Sequence, residues 1–172
     1  MQPIRPIRIL GLDPGLRRTG WGVVTIEGMR LGHVAHGVIK PDEKAPFAER
    51  LLHLFEEITA VIVAHQPDEA AVEETFVNTN ASSTLKLGHA RAAVMLAPAR
   101  AGLEVAEYAA RLVKKSLVGN GGADKTQVAF MVRRLLPSCG EASADAADAL
   151  AVAIAHAHER RFRALTAARL LA

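Results

Sequence analysis

Apolar residues arrive in short blocks in the first part of this chain and at helical spacing later. Ile7, Ile9, Leu10 and Leu12 make a run short enough for a buried strand, and its last residue is a carboxylate, Asp13. The turn Pro14-Gly15-Leu16-Arg17-Arg18-Thr19-Gly20 follows and cannot continue a ladder, so Asp13 is expected at a sheet rim where ligands can reach it. Residues 20–26 (GWGVVTI) and 31–40 (LGHVAHGVIK) read as two more strands around the hairpin turn Glu27-Gly28-Met29-Arg30, which makes the first three strands antiparallel. Over residues 45–65 the period changes: Phe47, Leu51, Leu54, Phe55, Ile58 and Ile62 line one face of a helix that packs on the sheet.

Gln66-Pro67-Asp68 ends that helix, and residues 69–73 (EAAVE) form a fourth strand that again finishes in acid, the pair Glu73-Glu74. A polar loop with one aromatic, Phe76, leads into a helix over residues 82–102 in which Pro98 marks a kink or an early end. Residues 103–107 (LEVAE) read as a fifth, parallel strand and 108–117 as a basic helix. After the break Gly119-Asn120-Gly121-Gly122, Asp124 and Gln127 form a capping box for a helix to residue 136. An alanine-rich helix starts near Ser143. This order predicts an α/β fold, a mixed five-stranded sheet flanked by helices, in one domain spanning residues 1–172 with a basic, mobile tail over 159–172.

Composition narrows the chemistry. With 172 residues the chain can bury a substantial core, and 50% apolar against 4% aromatic residues makes that core aliphatic. A net charge of +3 and a pI near 9.4 fit either an acidic polymer as partner or a solvated basic surface. Cys139 is the only cysteine, so no intrachain disulfide forms and a cytoplasmic setting is expected. No secretory leader is evident, and the apolar stretch over 146–157 is interrupted by Asp148 and His156 and falls short of the ~20 residues of a membrane span.

Asp145 and Asp148 stand at i and i+3 within SADAADALAVAIA, so both carboxylates project from one helix face. Asp145 alone is equally well explained as a first-turn acid complementing the helix dipole. Asp148 lies deeper, among residues that read as buried, and a charge there must be paired or metal-bound. With Asp13 and a glutamate at the fourth strand end, separate segments supply acids that repel one another unless a cation neutralises them. Oxygen ligands suit Mg²⁺ or Mn²⁺, and the chemistry favoured is two-metal phosphodiester hydrolysis; the competing reading is salt bridges scattered over the surface.

Four stretches, ILGLDPGLRRTGWGVV, VEETFVNTNASSTLKLGHARA, VKKSLVGNGGADKTQV and SADAADALAVAIAHAH, together resemble the bacterial Holliday-junction resolvases of the RuvC type, in family order over nearly the whole length. The resemblance implies an RNase H-like fold, a homodimer, two Mg²⁺ per active site with Mn²⁺ as a substitute, and paired symmetric incision of four-way DNA junctions in recombination and repair. It also implies incision that leaves ligatable ends, preference for a short T-rich consensus, and joint action with the RuvA and RuvB branch-migration proteins. By motif, Asp13, Glu73, Asp145 and Asp148 are the expected catalytic and metal-binding residues; the family pattern of acid, two residues, then Phe selects Glu73 over Glu74.

Lys114 and Lys125 match basic positions near the family's catalytic centre, and lysines beside a nest of acids draw in a phosphodiester. Lys115 reads as a solvated charge, and Arg17 and Arg18 as backbone contacts. Phe76 reads either as a core anchor or as an aromatic that stacks on junction bases, the use the resemblance favours. His89, His156 and His158 read as surface or packing residues. The helix over residues 82–97 is the expected dimer interface. Competing readings are another RNase H-like nuclease, a non-catalytic junction-binding protein, and an ATP-binding, actin-like domain, since Asp13 to Gly20 also fits a D-x-G-x-x-x-x-G phosphate loop.

Overall fold

The computed structural model describes residues 5–74 and 80–170, with side chains through residue 160. Strands β1 (Ile7–Asp13), β2 (Thr19–Glu27) and β3 (Arg30–Ile39) pair antiparallel in sequence, and β4 (Glu69–Glu73) and β5 (Glu104–Tyr108) add in parallel beside β1. The sheet order is β3-β2-β1-β4-β5, which leaves β1 in the centre. Both faces of β1 and β4 are covered, which is why their sequences are nearly continuous apolar runs instead of alternating ones.

Each face has its own core. Leu10, Leu12 and Val72 point to helices α1 (Phe47–His65) and α2 (Ala81–Arg100), where they meet Leu54, Ile58 and Val94. Ile9, Val24 and Ala71 point the other way, to α3 (Ala110–Val118), α4 (Lys125–Leu135) and above all α5 (Ala144–Leu170), which supplies Leu150 and Ile154. The capping box on α4 forms as expected: the Asp124 carboxylate accepts from the Gln127 amide, and the Asp124 amide donates to the Gln127 side chain.

Several boundaries differ from the pattern. Pro98 lies inside α2, two residues before its end, where few later residues depend on continued helical bonding; the helix closes at Arg100 and Gly102 turns the chain at φ 77°. Tyr108 begins no helix: its register with Glu73 and the bond from the Glu74 amide to its carbonyl (2.8 Å) hold it in β5. Phe47, expected in the core, is the first residue of α1, and since helical side chains lean toward the N-terminus it overhangs the layer and meets the His89 ring edge-on. A 3₁₀ turn, Pro137–Cys139, was not expected. Among the described residues no helix is long and apolar enough to cross a membrane.

Candidate active site

The parallel register between β1 and β4 runs through the pair Leu12 and Val72, so Asp13 and Glu73 stand one step further on, at the neighbouring C-terminal ends of two central strands. Strand alternation puts both on the face of Ile9 and Ala71, the face covered by α5. Arg91 of α2 donates from Nε to the Glu73 carbonyl (3.3 Å) and also pairs with Glu107, which fastens the end of β4.

How close α5 comes decides whether its acids can join them. A Cβ on Gly11 would lie 2.2 Å from the Ala149 carbonyl oxygen, and one on Gly20 would lie 1.9 Å from that of Asp145. These positions admit glycine alone, so the α5 backbone rests directly on the sheet. Small residues on the helix, Ala146, Ala149 and Ala153, complete the close fit and are buried. The seat brings the start of α5 over the end of β1, with Asp145 and Asp148 on the same side as Asp13.

A cavity of about 180 Å³ opens there, walled by Val113, Val128 and Ala151 and carrying the polar groups of Asp13, Glu73, Asp148, Lys114 and Lys125. Asp145 stands outside its lining, at the rim, where Arg18 Nε reaches its Oδ2 at 2.6 Å. Lys125 Nζ lies 3.1 Å from Asp148 Oδ2. Lys114 is half-buried and Lys115 exposed, which separates the two as the sequence reading does. Arg17 is turned away onto Glu43 (3.1 Å). Phe76 lies outside the described residues.

The electrostatics follow from this crowding. Burial, then the charges of Glu73 and Asp148, push the Asp13 carboxyl up to about 7, only partly opposed by Lys125. Burial and Asp148 likewise raise Glu73, against the pull of Lys125 and Lys114. The Asp148 hydrogen bond and charge raise Lys125, keeping it a cation. Among the described residues no three His, Cys, Asp or Glu side chains are gathered tightly enough to hold a metal ion, since two of the four acids are turned to Arg18 and Lys125. The donor set nevertheless fits a hard cation: the acids are all oxygen ligands, and the repulsion that raises Asp13 and Glu73 is what a divalent ion relieves.

Sequence reasoning missed the residues beside the acids. Arg50 on α1 donates from Nη2 to the Leu16 carbonyl (2.9 Å), and with Ser83 and Lys86 of α2 it lines a groove next to the β1–β2 turn. Arg50 and Lys86 offered only basic character, on helices read for packing and for dimer contact, and Ser83 offered no signal. The glycines of β1 and β2 were legible as punctuation, without the helix that needs them.

Comparison with known proteins places this geometry. A family profile described as Crossover junction endodeoxyribonuclease RuvC matches residues 9–156. The crossover junction endodeoxyribonuclease RuvC of Caulobacter vibrioides is 73% identical over 155 residues, 90% of this chain and 92% of that protein. That of Maricaulis maris is 65% identical over 162 residues, covering 94% and 97%. Among solved structures, Thermus thermophilus RuvC in complex with Holliday junction substrate superimposes with a TM-score of 0.84 at 34% identity, over 91% of this chain and 96% of that one. The yeast mitochondrial Holliday junction resolvase Ydc2, 13% identical with a TM-score of 0.63, shares the fold. The sheet and its helices are thus the RNase H-like α/β arrangement, and the chain belongs to the RuvC family of crossover junction endodeoxyribonucleases.

Proposed function

We propose that this chain is a structure-selective endonuclease that resolves four-way DNA junctions by paired, symmetric, Mg²⁺-dependent incision. The observation that carries the proposal is the gathering of Asp13, Glu73 and Asp148 with Lys114 and Lys125 around one cavity, with Asp145 at its rim, in a member of the RuvC family. In this reading the four acids hold two Mg²⁺, with Mn²⁺ as a substitute. When bound, such ions activate water and stabilise the departing 3′ oxygen. Lys114 and Lys125 offset the acids and draw in the scissile phosphodiester. Asp13 and Glu73 are fixed by the strand ladder and Asp145 and Asp148 by the seat of α5, so the ligands are held before substrate arrives. Phe76 is assigned to stacking on an unpaired base, and Arg17 and Arg18 to the DNA backbone.

Two symmetric cuts call for two sites at fixed spacing, which a C2 dimer supplies. Leu85 and Leu96 support α2 as the interface: both are exposed, and eleven residues on a helix is three turns, so they share a face. The assembly is assigned to the cytoplasm, with RuvA and RuvB as partners, and the chain to a single nuclease domain over residues 1–172 with a basic C-terminal segment from residue 159. A non-catalytic junction binder has no use for the crowded acids, and an ATP-binding loop has no use for those on α5.

The test is a labelled four-way junction beside a linear duplex of matched sequence, with Mg²⁺ or EDTA. We expect symmetric nicks in the junction alone, lost by about 100-fold or more in Asp148→Asn, as also in Asp13→Asn, Glu73→Gln and Asp145→Asn, with junction binding retained. Equal cutting of both substrates would favour a general RNase H-like nuclease, and tight binding without cutting a scaffold.

A further inference from the structure

Arg18 is placed between two environments. On one side its guanidinium meets Asp145, 2.6 Å away. On the other lies a groove of about 610 Å³ lined by Arg17, Arg18, Arg50, Ser83 and Lys86. The one carboxylate of that lining, Glu43, is paired with Arg17, and among the described residues Lys86 forms no ion pair. The groove therefore carries an excess of positive charge with a hydroxyl beside it, the chemistry that takes a sugar-phosphate backbone.

We propose that Arg18 is a positioning residue with two stations: it neutralises Asp145 while the acids lack a divalent cation, and turns to the DNA backbone in the adjoining groove once Asp145 is engaged by one. The inference rests on the reading of the four acids as metal ligands. The main chain of Asp145 is held in place, because its own carbonyl is pressed against Gly20. The main chain around Arg18 need not move either. Thr19 Oγ1 donates to the Gly15 carbonyl (2.7 Å) and accepts from its amide (3.1 Å), and Arg50 holds the Leu16 carbonyl. The half-exposed arginine side chain is free to swing.

The exchange has a physical motive. Asp145 and Asp148 each have a cation partner, whereas Asp13 and Glu73 have no hydrogen-bonded or ion-paired side-chain partner among the described residues. Arg18 thus holds one ligand in place, its charge balanced, without an ion present. A half-exposed pair is weak enough to be displaced, and the freed guanidinium gains a charge-assisted, two-pronged contact with phosphate. Metal and DNA binding would then reinforce one another through a single side chain.

Mn²⁺ titration of the DNA-free protein, followed by electron paramagnetic resonance, tests the first station. Arg18→Ala should tighten Mn²⁺ binding about threefold, the scale of an exposed ion pair converted to a binding ratio. Arg17→Ala removes the same charge from the same loop without freeing a ligand and should change it less than about 1.5-fold. Junction binding tests the second: the affinity lost by Arg18→Ala should be about threefold greater in Ca²⁺ than in EDTA, as reciprocity of coupled binding requires. Unchanged or weaker Mn²⁺ binding in Arg18→Ala, equal shifts in the two arginine variants, or a DNA penalty indifferent to Ca²⁺ would each overturn the proposal. Asp145→Asn separates this from failure of the underlying reading: if that variant binds Mn²⁺ like the parent, the acids are not the metal ligands and both ideas fall.

Discussion

At the scale of single residues, Asp13 carries the clearest consequence. Its carboxyl titrates near 7 in the folded chain against an ordinary 3.8, so the folded state holds a proton that the unfolded state has released. The sign follows: the stabilising effect of that proton is complete below about pH 4, declines as pH rises, and is gone above about 7. Three units correspond to on the order of 4 kcal/mol. Asp13→Asn should therefore leave stability near that of the parent at low pH and raise it increasingly up to pH 7–8 in EDTA, while abolishing cleavage; thermal melts across that range are the check, and a pH-independent difference would count against it. The acids were legible in the sequence because a strand-end Asp and an i, i+3 pair are local patterns. His156 was legible only as a packing residue. Its role lies in a buried chain in which Nδ1 meets the Tyr108 hydroxyl (2.8 Å) and Nε2 meets Glu69 (2.9 Å), joining α5 to both β5 and β4. That contact crosses elements far apart in the chain, and no periodicity announces it.

At the scale of elements, the order of strands and helices followed from period changes and punctuation, and even the α4 cap was readable from Asp124 and Gln127. The seat of α5 was not, because the need for Gly20 is created by a helix far downstream. Gly20→Val should cost ~1–3 kcal/mol as overpacking and move α5 off β2, separating Asp145 and Asp148 from Asp13. The expected outcome is a folded protein with a lowered Tm and cleavage reduced by at least tenfold. Val63→Ala on α1 is the control, since that side chain is 71% exposed and alanine is the better helix former. If both variants cleave like the parent, the seat does not set the site.

At the scale of the whole molecule, the outer face of α2 exposes Leu85 at 65% and Leu96 at 59%, on the helix assigned to the dimer interface. Replacing both by glutamate should shift the protein to monomers by sedimentation, retaining single nicks but losing the near-simultaneous pair of cuts. A dimer that survives both charges would move the interface elsewhere. The fold also separates what sets its stability from what sets its spacing. Leu54, Ile58, Leu150 and Ile154 fill the two cores, yet the height of α5 above β1 is decided where backbone meets backbone at Gly11 and Gly20. The strand and helix that carry the acids are therefore gauged against each other by a fixed stop, as two plates are by a shim. Aliphatic side chains on either side of the sheet can be exchanged over many generations, changing how firmly the protein holds together while the gap between its acids stays the same.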